Sequence, residues 1–376
     1  MILYIFVAFV SIILIYESCK QTVVGGNSRA ALYSRACIVA VFVLLFGVSA
    51  CRLNVGNDYG KYVEFMHRLY TDKYIADPGV PTEWGFNLLA RVIYGLSGYE
   101  NYLLVFAIYA FATIGLFFAA MKKQSVDFAL TFFMFMTLGY YFQSFSTIRY
   151  YLALAIALYC MKFVNEKKWL EFAFFVLIGT GFHKSILVIV PLYLLASIAW
   201  KKWQIAIAVL LCSTFLIFHE FYLQLFVKLY PSYEDTEYLA GSGFSWINIL
   251  RCLAVLMLAL IYYKQSVEAD RKMLFYFYCN LGALVLYIFG AYMPLVSRIG
   301  YYLTISHILF VPALIKDIPN EKRRKIIKII LIVACIMYFA MYLYKASDDG
   351  VLVLPYRTFL FNDMVDILSD VQGALD

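Results

Sequence analysis

Long apolar runs separated by short clusters of lysine and arginine are the dominant pattern of this chain of 376 residues. Runs long enough to cross a bilayer, about 17–25 residues with some shorter and kinked, fall at 2–16, 36–51, 101–120, 127–142, 147–164, 169–182, 185–199, 204–219, 246–263, 274–293, 299–316 and 326–344. The pattern predicts an all-α polytopic membrane protein with twelve transmembrane helices. Basic clusters orient it: Lys20/Arg29/Arg35, Lys122/Lys123, Lys162/Lys167/Lys168, Lys201/Lys202, Lys264/Arg271/Lys272 and the run from Lys316 to Lys328 all fall on one side. That side carries 19 basic residues against eight acidic ones, the other 12 against 16. The positive-inside rule makes the first side cytoplasmic and leaves both termini outside.

Residues 84–97 test this orientation. Trp84, Leu88, Leu89, Val92 and Leu96 recur at helical spacing, interrupted by Asn87 and Arg91. A crossing here would move every later basic cluster outside. The segment therefore reads as an amphipathic helix lying on, or dipping into, the outer face. Two outer loops are large, 52–100 and 219–245; both are acidic and Tyr-rich, and the tail 345–376 joins them. Inner loops are short, which leaves no cytoplasmic catalytic domain, and 1–376 reads as a single integral membrane domain without internal repeats.

Composition sharpens the class. The chain is 64% hydrophobic and only 15% charged, whereas soluble domains run near 45–50% apolar and about 25% charged. A soluble globular protein is thereby excluded. The net charge of +7 is dispersed in short clusters between apolar runs, without the basic, aromatic-interleaved segment of a nucleic-acid binder. Eight cysteines fall mostly inside those runs with no CxxC pair, so they read as small buried hydrophobes and no metal site is expected. No cleavable export signal is evident, and the lipoprotein-like box Val48-Ser49-Ala50-Cys51 comes too late to be a first signal. The 33 tyrosines suit interfacial belts and sugar-stacking surfaces.

The informative residues are cations on the wrong side. Arg149 lies in Ser146-Thr147-Ile148-Arg149-Tyr150, His183-Lys184 in Gly181-Phe182-His183-Lys184-Ser185, and Arg298 in Pro294-Leu295-Val296-Ser297-Arg298. Arg52 and Arg357 complete the set. A charge near the bilayer costs a few kcal/mol unless partnered. Each alone is explained by snorkelling to headgroups or by pairing with Asp58, Glu83 or Glu100. Five on one face point to an anionic ligand, and arginine suits phosphate because its planar fork makes two charge-assisted bonds at once. Asp58 and Glu83 each also read as helix N-caps, Asp58 for a helix over 59–70. A lone histidine is more often structural than catalytic; His183 gains weight from Lys184 beside it, whereas His307 lies within a span and reads as core. No DxD, HExxH, P-loop or GxSxG motif is present, so nothing supports metal-dependent sugar-nucleotide chemistry or triad hydrolysis.

Several of these stretches resemble a known family. Arg52…Val55-Gly56-Asn57-Asp58-Tyr59…Tyr62 is similar to the pattern R-x-x-V-G-T-D-x-x-x-Y. Glu83-Trp84-Gly85-Phe86-Asn87-Leu88-Leu89 resembles E-P-G-F-x-x-L, and Ile148-Arg149-Tyr150-Tyr151-Leu152-Ala153 resembles I-R-Q-x-L-A. Phe182-His183-Lys184-Ser185 is similar to F-H-x-S, and Pro355-Tyr356-Arg357 to a late P-Y-R. Asn57 stands for the usual Thr, and Tyr150 for the usual Gln. The ordered set resembles EpsG-type proteins, within the Wzy-type O-antigen and exopolysaccharide polymerases of bacterial inner membranes. The resemblance implies a glycosyltransferase that needs no metal and no cofactor. It would move a growing glycan from undecaprenyl pyrophosphate onto the non-reducing end of a lipid-linked oligosaccharide repeat unit, at the periplasmic face. Both termini would be periplasmic, and a chain-length regulator protein would be a partner besides membrane lipids.

On that reading Arg149 and Arg298 clamp the pyrophosphate, assisted by Lys184 or Arg357. His183 takes the acceptor's proton, with Asp58 second. Arg52 orients Asp58 or the acceptor, while Glu83 and the Tyr-rich loops, Tyr59 among them, complete the substrate-binding set. Two rivals stand beside it. An O-antigen ligase or other lipid-donor transferase uses the same donor and cations. A lipid-linked oligosaccharide flippase would instead need charges lining a cavity through the membrane.

Overall fold

The computed structural model describes residues 1–24, 28–71, 82–229, 244–291, 296–348 and 350–362. Among them the secondary structure is helical, without a strand; a lone antiparallel bridge joins Arg52 and Thr358. The helices are α1 (Ile2–Val24), α2 (Ser28–Ala50), α3 (Tyr59–Thr71), α4 (Trp84–Ser97), α5 (Tyr102–Gln124), α6 (Phe128–Thr137), α7 (Tyr140–Gln143), α8 (Ile148–Asn165) and α9 (Trp169–Thr180). They continue with α10 (Ile189–Ala196), α11 (Lys202–Ile217), α12 (His219–Leu229), α13 (Trp246–Ile261), α14 (Arg271–Phe289), α15 (Val296–Thr304), α16 (His307–Lys316) and α17 (Glu321–Lys345).

Local signals set several boundaries. Asn101 accepts a hydrogen bond from the Leu104 N–H at 3.2 Å and Asp127 one from the Leu130 N–H at 3.0 Å, each satisfying an orphan donor of a first turn. Gly98, in the left-handed region with φ of 76°, closes α4. Lys122 and Lys123 end α5, where a cation suits the helix C-terminus.

Among the described residues, six helical segments are long and apolar enough to cross a membrane, or seven if the pair Lys202–Ile217 and His219–Leu225, bent by 84°, is one span. The protein is therefore an all-α, multi-pass membrane protein by helix length and apolarity. Of the other sequence-predicted crossings, 147–164 is the unbroken 18-residue α8, which is not among these six, and the rest fall on shorter or broken helices. Phe128–Thr137, of 10 residues, rises only about 15 Å against a hydrocarbon core of about 30 Å. Local breaks, such as the left-handed Gly139 between α6 and α7, interrupt runs that hydropathy alone reads as continuous. Residues 230–243 of the second predicted outer loop and 363–376 of the tail lie outside the described residues; His219–Leu229 is helical.

The chain divides into two compact units. The first comprises Met1–Tyr159, Phe174–Ile186 and Lys322–Asp376. In it α1 packs on α2 and α6, α2 on α5, and α3 and α4 on each other, with α4 also against α5. Aromatic rings and buried phenols fill the interior: Tyr141 donates to the Leu45 carbonyl at 2.7 Å and Tyr4 to that of Val353 at 2.7 Å. The second comprises Cys160–Ala173 and Leu187–Glu321, built around α14, which contacts α10, α11, α13, α15 and α16. Here Tyr193 donates to the Tyr302 carbonyl at 2.8 Å.

α4 is apolar on both sides. Gly85, Phe86, Ala90, Ile93 and Tyr94 face the interior, while Trp84, Leu88, Val92 and Leu96 form an exposed row one turn apart.

Candidate functional site

Three stretches distant in sequence meet at the start of α4. The Gly85 N–H donates to the Gly181 carbonyl at 2.7 Å, which lays the turn after α9 against the first residues of α4. Neither position has room for a side chain. A Cβ on Gly85 would stand 2.5 Å from the Gly181 oxygen, and one on Gly181 would stand 2.6 Å from the Trp84 ring. This close approach brings Glu83 beside Lys184.

Glu83 occupies the N-cap position of α4, and its main-chain carbonyl accepts from the Phe86 N–H at 3.0 Å and the Asn87 N–H at 3.2 Å. Its carboxylate makes no cap bond. One oxygen pairs with the Arg149 guanidinium, from the first turn of α8, and the other accepts from the Lys184 N–H at 3.0 Å. Both partners of the ion pair are shielded, with side chains 15% and 10% exposed for Arg149 and Glu83. The arginine also lies over two rings, 5.4 Å from the Tyr62 centroid and 5.7 Å from that of Phe86. Burial pushes the Tyr62 phenol up to about 12, against the lowering pull of Arg149, so it stays protonated. Arg149 Nε is buried and has no hydrogen-bond partner among the described residues.

His183 is half-buried, its ring edge-on to Tyr150 at 5.7 Å and its Nδ1 accepting from the Ser185 N–H at 3.2 Å. Tyr150, where the resemblance would have Gln, thus contributes a ring to the histidine's surroundings. Lys184 is exposed beside it. Asp58 stands just before α3, its carbonyl accepting from the Tyr62 N–H at 3.0 Å, and its charge acts on the Tyr62 phenol. Glu83, Arg149, His183, Lys184 and Asp58 are thereby gathered around Tyr62 and the start of α4.

A second knot lies behind them. Gly56, with φ of +106°, donates to the Leu352 carbonyl at 2.7 Å, and a Cβ there would stand 2.4 Å from the Phe145 carbonyl oxygen. Ser146 Oγ donates to the Val351 carbonyl at 2.9 Å and the Leu53 N–H to that of Arg357 at 3.0 Å. The segment 350–358 therefore clasps the Val55-Gly56-Asn57 turn against the stretch that leads into Arg149. The Arg357 side chain is exposed at this clasp.

Arg52 and Tyr59 are placed differently from the sequence expectation. Arg52 is 1% exposed, bonded to the Ser49 carbonyl and to Ser49 Oγ at 3.1 Å, with Phe106 and Phe145 rings at 5.2 and 5.3 Å. Burial draws its guanidinium below the ordinary arginine value. Tyr59 is fully buried and stacks on Phe106 at 4.5 Å. Neither presents a surface to a ligand; both brace the turn that carries Asp58.

Arg298 belongs to the second unit, half-buried on α15. That unit holds a cation not singled out from sequence. Arg251, inside the apolar α13, lies 5.9 Å from the Tyr301 ring. Near it His307 Nε2 pairs with Asn280 Oδ1 at 2.8 Å, and Asn280 donates to the Cys252 carbonyl at 3.1 Å. The signal was an arginine within the run 246–263, absorbed into the outer-side charge count. Among the described residues no group of three or more His, Cys, Asp or Glu side chains could hold a metal ion.

No curated protein and no solved structure matches the chain. A family model described as the EpsG family matches residues 35–358, a stretch that contains both knots and all the residues gathered in them. The chain therefore belongs to the EpsG family.

Proposed function

We propose that the protein is a polysaccharide polymerase of the bacterial inner membrane. It transfers a growing glycan from undecaprenyl pyrophosphate onto a hydroxyl at the non-reducing end of a lipid-linked repeat unit, at the periplasmic face. The observation that carries this reading is the gathering of Arg149, Lys184, His183, Glu83 and Asp58 from separate motif stretches into one place. The leaving group is already a stable anion, so the reaction requires cations to hold the diphosphate as charge develops and a group to take the acceptor's proton. Arg149 is the principal clamp, with Lys184 and Arg357 as further cations; His183, Asp58 and Glu83 are the candidates for the proton. No metal is called for by this chemistry. The exposed row of α4 would rest in the outer leaflet, the basic clusters would face the cytoplasm, and both termini the periplasm. Twelve crossings remain the topology proposed, the short helices crossing as broken spans.

One observation favours a second reading. Arg251, with Asn280 and His307 nearby, places polar groups inside an apolar unit, as a flippase for lipid-linked oligosaccharide would require. Purified protein in lipid, given synthetic lipid-diphosphate-linked repeat units without metal or nucleotide sugar, decides. A ladder of dimers, trimers and longer chains supports the polymerase, one adduct on another acceptor a ligase, and movement across liposomes without a ladder the flippase.

A further inference from the structure

Glu83 is the residue whose geometry goes furthest beyond a clamp of cations. Its position at the start of α4 would ordinarily turn the carboxylate back to cap the helix, yet it makes no such bond. Instead the carboxylate is held at both oxygens, one by Arg149 and the other by the Lys184 N–H at 3.0 Å. Arg149 for its part keeps Nε buried and without a partner among the described residues, so its donors are not all matched by the carboxylate. His183 is badly placed to take a proton. Its Nδ1 lone pair accepts from the Ser185 N–H at 3.2 Å, which keeps the proton of the neutral ring on Nε2, a donor.

We propose that Glu83 holds Arg149 while the site is empty and takes the proton of the attacking hydroxyl once a diphosphate claims that arginine. The proposal rests on the polymerase reading. A diphosphate brings more charge than one carboxylate and oxygens that match the guanidinium fork, so it exchanges for Glu83 at Arg149. The carboxylate then loses one anchor and keeps the other, the Lys184 N–H, which holds it beside the clamp. The acceptor hydroxyl oxygen forms its bond to C1 of the donor sugar. The bond from C1 to the diphosphate oxygen breaks, its electron pair leaves on the diphosphate, and the hydroxyl proton passes to the freed Glu83 oxygen. Departure of the diphosphate returns Arg149 to Glu83 and expels the proton to water. One residue thus excludes hydroxyl activation until the donor's diphosphate is seated.

The test uses the full chain in lipid nanodiscs with two readouts: calorimetric binding of farnesyl diphosphate, which carries no sugar, and the rate of ladder formation. Glu83→Gln removes the competing charge and the proton acceptor together. It is expected to bind the diphosphate about tenfold more tightly while the ladder rate falls by about 10²–10⁴-fold. A residue that only supports the fold would weaken both. Unchanged or weaker binding, or a ladder rate within about threefold of wild type, a change far below that of a lost general base, overturns the proposal. Should the Gln variant fail to fold, Glu83→Asp carries the same test: the shorter carboxylate loosens the Arg149 pair, so tighter binding is expected with part of the turnover kept, and equal affinity overturns it. Wild-type protein that neither binds the diphosphate nor builds a ladder removes the polymerase reading and the proposal with it. Wild-type activity beside an equally active Gln variant removes the proposal alone.

Discussion

Glu83 and Arg149 stand 66 positions apart and form a shielded ion pair between the first residues of α4 and α8. The Glu83 carboxylate makes no cap bond to its own helix. The turn at Gly181 packs against Gly85, next to Trp84 and Glu83, and the clasped Gly56 turn packs against Phe145 and Ser146, which lead into α8 and Arg149. The pair therefore depends on contacts between segments far apart in the chain.

Arg149→Ala leaves a shielded carboxylate without its partner, a change that costs about 3–5 kcal/mol, so both melting temperature and ladder formation should collapse. Arg149→Lys keeps the charge but not the planar fork. It is expected to melt near wild type while farnesyl diphosphate binding weakens and the ladder rate falls by at least about tenfold. A Lys variant with wild-type affinity would count against a forked diphosphate contact.

The contact between Gly85 and Gly181 predicts a loss without any change of charge. A methyl on Gly85 would stand 2.5 Å from a main-chain oxygen, so the backbone must move, at a cost of about 1–3 kcal/mol for overpacking. Gly85→Ala should lower the melting temperature and, by shifting Glu83 off Arg149, depress turnover more than binding. Gly95, with nothing within 4 Å of an added Cβ, is the control: Gly95→Ala should leave both unaltered or raise the melting point slightly, since alanine favours the helix.

Arg52 should behave as a stability residue. Its guanidinium satisfies the Ser49 carbonyl near the C-terminal end of α2, where a cation is favoured, and fills the space between two phenylalanine rings. Arg52→Ala empties that space and orphans the carbonyl, a loss of about 3–5 kcal/mol by analogy with other large buried truncations. Arg52→Met keeps most of the volume and is expected to melt between Ala and wild type. The Met variant should bind farnesyl diphosphate like wild type; a loss of affinity at unchanged melting temperature would return Arg52 to the binding surface.

The proposed orientation has its own test. A phosphatase reporter active only in the periplasm, fused after Asn362, is expected to be active, whereas fusion after Lys202 should be silent. The opposite pattern would invert the topology and move Glu83 and Arg149 to the cytoplasmic face.

Much of the architecture follows from residue type alone. A chain with so few charges and such long apolar runs has no soluble solution, because its surface would be left in water, and within lipid its backbone must bond to itself, which favours helices. The row Trp84, Leu88, Val92 and Leu96 turns to one side only in a helix, and α4 carries it outward. The charged motif residues were legible for the same reason: a cation is costly near hydrocarbon, so its presence asks for a cause.

Hydropathy counts apolar residues and does not see where a helix breaks, so the left-handed Gly139 was hidden in the run 127–142, which read as continuous. Nor does composition say which side of a tyrosine faces inward. Tyr59, expected at a glycan surface, is buried on Phe106, and Tyr4 and Tyr141 use their hydroxyls to satisfy main-chain carbonyls in the interior. Arg52 and Arg149 look alike as sequence, each an arginine beside an apolar run. Only packing separates them: one lies against two phenylalanine rings at a helix end, the other is held by a shielded carboxylate. That difference arises from contacts between residues far apart in the chain, and the fold alone creates them.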